Sequence, residues 1–315
     1  MLPLNAKSLC WLGFILLLAG ACTRDEPQIR EVFETMPEEH VAELIGAGII
    51  STELPEFATT VSPDGNTIYF NRTSADRSVL QIFASEKSDE GWHPPEPLAF
   101  SDGKYSDVDP FVTSDGQRMY FSSNRPISGD SPKDYDTWYV EKEETGWGVP
   151  INAGTLFNGD DGEVFVSVTR EHTVYFSISR NGVRRIYRSV RSNNERIAPQ
   201  MISLPVADSV GVGNPLIDPQ EKHLFFTSRQ LGGYGGADIY IADHAGNGVF
   251  ENVRNAGPLV NSRYADFAPG LNADGSELYF TSERPGVVGP LNEGRPPGDL
   301  YKVNLKAVLE SAGNE

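Results

Sequence analysis

The chain has 315 residues, long enough for one large domain with a substantial core, and its 31 glycines, 22 prolines and 39% hydrophobic content suit a turn-rich all-β protein. With 26 basic residues against 44 acidic ones the formal charge is −18. Such a surface repels phosphate backbones and excludes nucleic-acid binding, while cationic ligands, metal ions and basic protein partners stay compatible.

Residues 1–21 read as a cleaved secretory signal. Lys7 and the N-terminal amine supply positive charge, and the apolar run Leu9 to Leu18 is too short to span a bilayer. Ala19-Gly20-Ala21 then lead to Cys22, and Ala-Gly-Ala-Cys after a leucine run resembles a bacterial lipobox, in which the cysteine is lipidated. An ordinary secretory signal with a chance Cys22 is the alternative. Lipidation also accounts for the cysteines: Cys10 leaves with the signal and Cys22 carries lipid, so no disulfide is possible. Thr23, in place of Asp after the cysteine, favours sorting to the outer membrane, on its periplasmic face. Residues 22–41 are polar and read as a tether.

From residue 42 to 315 one phrase recurs, a turn followed by an aromatic pair. Ser62-Pro63-Asp64-Gly65 precedes Tyr69-Phe70, Ser114-Asp115-Gly116 precedes Tyr120-Phe121, and Ala273-Asp274-Gly275 precedes Tyr279-Phe280. Degenerate copies precede Tyr175-Phe176, where Arg170-Glu171 replaces the Asp-Gly turn, and Phe225-Phe226. A fixed period of about fifty residues built of strands predicts a β-propeller. Each repeat carries four strand signals; the last one lacks its fourth, and Ala42-Glu43-Leu44-Ile45 supplies it from the other end of the domain. We therefore expect five four-stranded blades with closure by the N-terminal strand; the alternative of six blades would need about fifty more residues.

The phrases Asp109-Pro110-Phe111-Val112-Thr113-Ser114-Asp115-Gly116 and Gly235-Gly236-Ala237-Asp238-Ile239-Tyr240 resemble the WD40-like propeller repeat of the TolB type over residues 42 to 303. That resemblance implies an interaction platform and says little of chemistry. It is closest to stand-alone bacterial lipoproteins of this kind, and we expect a monomeric propeller held at the membrane by its lipid.

One constellation invites a functional reading. An acid stands thirteen residues before the aromatic pair in three repeats (Glu56, Asp107 and Asp266), with Asp161 matching if its turn holds one extra residue. Two positions later stand Asp109 and Glu163, with Asn214 as the amide counterpart. These residues open the innermost strand of each blade and should gather near the central channel. Converging carboxylates suit calcium or a cationic ligand, or an acid and base pair. The bland reading is a structural brace, because arginines recur just after the aromatic pair: Arg125, Arg180, Arg229 and Arg284. Trp92, Trp138 and Trp147 follow repeat positions and read as packing residues. No nucleophile elbow, dinucleotide fingerprint or metal-ligand histidine spacing is present. We expect a platform for a protein or cell-envelope glycan. The rival is a glycoside hydrolase or lyase using channel acids, which needs two close, unpaired carboxylates.

Overall fold

The structure is a computed structural model in which residues 41–313 are described, apart from 130, 156, 160, 193–194 and 288–296. The expected signal, Cys22 and the tether up to residue 40 lie outside the described residues. The rest forms five antiparallel blades.

Blade 1 runs outward through Glu56–Val61, Thr67–Thr73, Leu80–Ser88 and Glu96–Pro97. Blade 2 comprises Asp107–Val112, Arg118–Ser123, Asp136–Glu143 and Ile151–Asn152. Blade 3 is Glu163–Val168, Val174–Arg180, Val183–Ser189 and Gln200–Met201. Blade 4 is Gly213–Ile217, His223–Ser228, Asp238–Gly246 and Val249–Asn255. Blade 5 takes Asp266–Leu271, Glu277–Ser282 and Asp299–Asn304 from the end of the chain, and its outer strand, Glu43–Leu44, from the beginning. Glu43 pairs with Lys302 and Leu44 with Tyr301, so the ring is five-bladed and closed as the repeat count predicts.

The aromatic pair explains why blades stack. Successive strand residues point to opposite faces, so Tyr69 packs with blade 2 residues Met119 and Phe121, while Phe70 packs with Tyr279 of blade 5. The pattern repeats at every interface, giving five inter-blade cores. Each buried ring removes roughly 150–250 Å² from water. The helix Leu305–Ala312, capped by the Asn304 side chain accepting from the Ala307 N–H, lays Val308 and Leu305 on the core between blades 4 and 5.

Each innermost strand carries one β-bulge at the same position. The bulged residues are Ala58, Asp109, Phe165, Asn214 and Ala268, all with φ between 50° and 60°, a region that costs a non-glycine residue about 1 kcal/mol or more. Side-chain oxygens of the preceding blade hold three of them. The Asp109 N–H donates to Asn71 Oδ1 (2.8 Å), that of Phe165 to Ser122 Oγ (3.2 Å) and that of Ala58 to Thr281 Oγ1 (3.0 Å). At the two equivalent positions, Ser177 Oγ and Thr227 Oγ1 are buried without a partner among the described residues. These three bonds fix the register at the interfaces of blades 5 and 1, 1 and 2, and 2 and 3.

Candidate functional site

Glu56, Asp107, Glu163 and Asp266 occupy the same position, first in the innermost strand, and all are buried. Blade 3 reaches its aromatic pair one residue sooner because its hairpin turn is shorter. Glu163 therefore sits where Asp107 sits in blade 2, facing Ile178 across the ladder, and Asp161 lies in the loop before the strand. In blade 4 the position holds Val212.

Three of these acids are held by an arginine. Arg125 Nη2 donates to Asp107 Oδ1 (2.6 Å) and to the Phe100 carbonyl (3.2 Å), with Nε on Ser123 Oγ (2.9 Å). Arg284 repeats the arrangement on Asp266 (2.9 Å), Ser282 Oγ (2.7 Å) and the Val260 carbonyl. In blade 1 Arg72, nearer the aromatic pair than its counterparts, donates from Nε to Glu56 Oε1 (2.8 Å) and from Nη2 to the carbonyls of Ile49 and Ile50. Each guanidinium lies over the rings beside it: Arg125 is 5.3 Å from Phe121, Arg284 is 5.0 Å from Tyr301, and Arg72 is 5.4 Å from Phe83. The acid, the arginine and the preceding loop are thus one bonded unit. Burial pushes the Glu56 and Asp107 carboxyls up, against the pull of their hydrogen bonds and arginines. Burying these charges costs more than their pairing returns, as expected of buried ion pairs.

The remaining candidates behave differently. Arg180 bonds Asp161 (2.6 Å) as a solvent-exposed pair, with side chains 58% and 35% accessible. Arg229 is exposed and makes no ion pair among the described residues, consistent with Val212 standing at the acid position. Among the described residues Glu163 accepts only the Gly159 N–H (3.2 Å). Burial, together with Asp136, Asp134 and Asp161 nearby, raises its carboxyl to about 7.

At the axis, Ala58, Phe165 and Ala268 cluster with Phe57 and Phe267. Blades 1 and 3, and blades 3 and 5, are not neighbours, so these contacts cross the channel. The other end is apolar too, with Val61, Phe111, Val168, Ile217 and Leu271 converging from all five blades. Asp109, at the bulge position of blade 2, is half-buried, and burial lifts its carboxyl to about 7 against the attraction of Arg184. Among the described residues no three acidic, histidine or cysteine side chains converge as a metal cluster would. Asp109 thus shares the bulge level with the apolar cluster of Ala58, Phe165 and Ala268. The bulge itself left no trace in the sequence, since alanine, phenylalanine and aspartate all occupy it.

No protein-family model and no curated protein matches the sequence. Among solved structures the chain resembles a GH62 hydrolase in complex with xylotriose, with a TM-score of 0.50 and 10% identity over 84% of this chain and 98% of that one. It also resembles a protein assigned as TolB from Agrobacterium tumefaciens (0.49; 15% identity; 80% and 78% covered). A third likeness is to the Penicillium chrysogenum α-L-arabinanase with arabinobiose (0.47; 15%; 80% and 76%). At such identities the likeness is one of fold. The chain is a five-bladed β-propeller in which three of the buried acids around its channel are bonded to arginines.

Proposed function

We propose that this protein is a lipid-anchored propeller on the periplasmic face of the outer membrane, serving as a binding platform for a protein or a cell-envelope glycan. The observation that carries the reading is the pairing of Glu56, Asp107 and Asp266 with Arg72, Arg125 and Arg284. A typical glycoside hydrolase needs two free carboxylates about 5 Å or about 6.5–9.5 Å apart, and these three are buried and bonded. The Ala19-Gly20-Ala21-Cys22 phrase supports the anchor, and no helix among the described residues is long and apolar enough to cross a membrane. Crosslinking in intact cells followed by capture of the protein tests the platform: a partner or glycan retained by wild type is the expected result. Replacing Cys22 with Ser should move the protein from the membrane to the soluble periplasmic fraction. A variant that stays membrane-bound in high salt contradicts the lipid anchor.

The rival reading, a glycoside hydrolase, draws on Asp109, whose carboxyl near 7 suits a general acid. Its test is release of reducing sugar from envelope polysaccharides that disappears in Asp109→Asn.

A further inference from the structure

Four of the five interfaces between blades are sealed at their turn-bearing end by an apolar wedge, and the fifth is not. In blades 1, 2 and 4 the hairpin after the third strand places an aromatic residue on the aromatic pair of the preceding blade. Trp147 meets Tyr69 edge-on, with ring centroids 5.9 Å apart, and Phe250 meets Tyr175 edge-on at 6.0 Å. Trp92 packs on the cluster that contains Tyr279. The interface between blades 4 and 5 is closed by Val308 of the helix, in the cluster of Phe225.

Blade 3 breaks the series. Arg196 lies across the hairpin from Arg191, as Trp147 lies across from Lys142 and Trp92 from Lys87. An arginine therefore stands where the wedge belongs. The interface between blades 2 and 3 is left open as a cleft of about 680 Å³ lined by Tyr120, Tyr139 and Phe157, within the roughly 300–1,000 Å³ typical of small-ligand sites.

The cleft is cationic in a protein whose net charge is −18. Arg118, Lys142, Arg191 and Arg196 line it, against Asp115 and Glu141. Two of the guanidiniums lie over aromatic rings. Arg118 lies 4.1 Å from the Tyr139 ring centroid and bonds Glu141 Oε1 (2.6 Å). Arg196 lies 5.0 Å from the Phe157 centroid and donates from Nη1 to the carbonyls of His172 and Ser189. Burial first, and then Arg191 and Arg118 nearby, lower the pKa of Arg196. Arginines stacked on rings hold their donor edges ready for a carboxylate or phosphate at little entropic cost.

We infer that the cleft between blades 2 and 3 binds an acidic saccharide, its carboxylate or phosphate held by Arg191 and Arg196. This rests on the binding-platform reading and names the class of ligand.

The test is isothermal titration of the purified protein with four probes: oligogalacturonate, glucose 1-phosphate, a neutral galacto-oligosaccharide and inorganic phosphate. The same titrations are made on Arg196→Trp, which restores the wedge, and on Arg191→Ala. The expected result is binding of one or both acidic sugars, with the neutral sugar and inorganic phosphate at least tenfold weaker. Whether oligogalacturonate or glucose 1-phosphate is preferred identifies the acidic group. Arg196→Trp should weaken binding at least tenfold while melting at or above the wild-type temperature, and Arg191→Ala should weaken it on an intact cleft. The inference is overturned if neither acidic sugar binds, if the neutral sugar or bare phosphate binds as well, or if both variants bind like wild type. Partner capture in cells that persists in Arg196→Trp leaves the platform standing while the cleft assignment fails.

Discussion

Leu44, in the first described strand, pairs in register with Tyr301, in the last, and so binds the two ends of the domain into one blade. Around this pair Ile45 donates its N–H to the Leu300 carbonyl (2.9 Å), the Leu300 N–H donates to Ser51 Oγ (3.1 Å), and Ile45 and Ile50 are buried. The short strand therefore does more than cover an edge.

Deleting residues 42–54 should expose the unpaired edge of Asp299–Asn304 and the apolar cluster beneath it. A loss of about 3 kcal/mol or more is expected for a change of this kind in a core, read as a lower melting temperature or aggregation. An unchanged melting temperature would mean that this segment contributes nothing to closure.

The bulge pins give a contrasting pair of substitutions. Asn71 Nδ2 donates to the Asp107 carbonyl (2.8 Å) and to that of Gln81 (3.1 Å), while Oδ1 accepts from Asp109. Asn71→Ala strands these buried groups and should cost about 2–3 kcal/mol. Thr227 Oγ1, at the equivalent position of blade 4, has no partner among the described residues, so Thr227→Val should be neutral or slightly stabilising. Chemical denaturation of both variants checks the difference.

Glu163 makes stability depend on pH. Its carboxyl rises from an ordinary 4.5 to about 7 in the folded protein, so the native state holds a proton that the unfolded chain releases. The proton's contribution is present in full below about pH 4.5 and is lost as pH rises through about 7. Glu163→Gln should leave stability at pH 4 nearly unchanged and raise it at pH 8, by at most roughly 3 kcal/mol at about 1.36 kcal/mol per pKa unit. Melts of both proteins from pH 4 to 8 should diverge with rising pH; parallel curves would remove Glu163 as the source.

The blade count and the closure were legible because Tyr69-Phe70 and its copies mark the second strand of every blade, where both faces are buried and aromatic rings are needed. The acids were legible as a set, but their register in blade 3 was not. The turn at Arg170-Glu171 is one residue shorter, with His172 in the left-handed region, so counting back from Tyr175 misses Glu163 by one. Arg72 escaped notice because it reaches Glu56 from two residues nearer the aromatic pair than Arg125 does. The cleft of Arg196 left no motif at all. Trp92 and Trp147 read correctly as packing, and the meaning of the arginine emerges only when the hairpins are superposed as equivalent wedges.

Melting temperature with and without calcium, for wild type and Asp107→Asn, tests most directly whether the inner acids are braces. Arg125 and Asp107 have side chains only 11% and 2% accessible, so losing one partner strands a buried charge at a cost of up to about 3–5 kcal/mol. Asp161→Asn, which breaks only the exposed pair with Arg180, serves as the control and should cost under about 1 kcal/mol. A brace predicts that Asp107→Asn melts lower than wild type by the same margin whether calcium is present or not. If calcium raises the wild-type melting temperature and Asp107→Asn loses only that increment, the acids form a cation site and the account is contradicted.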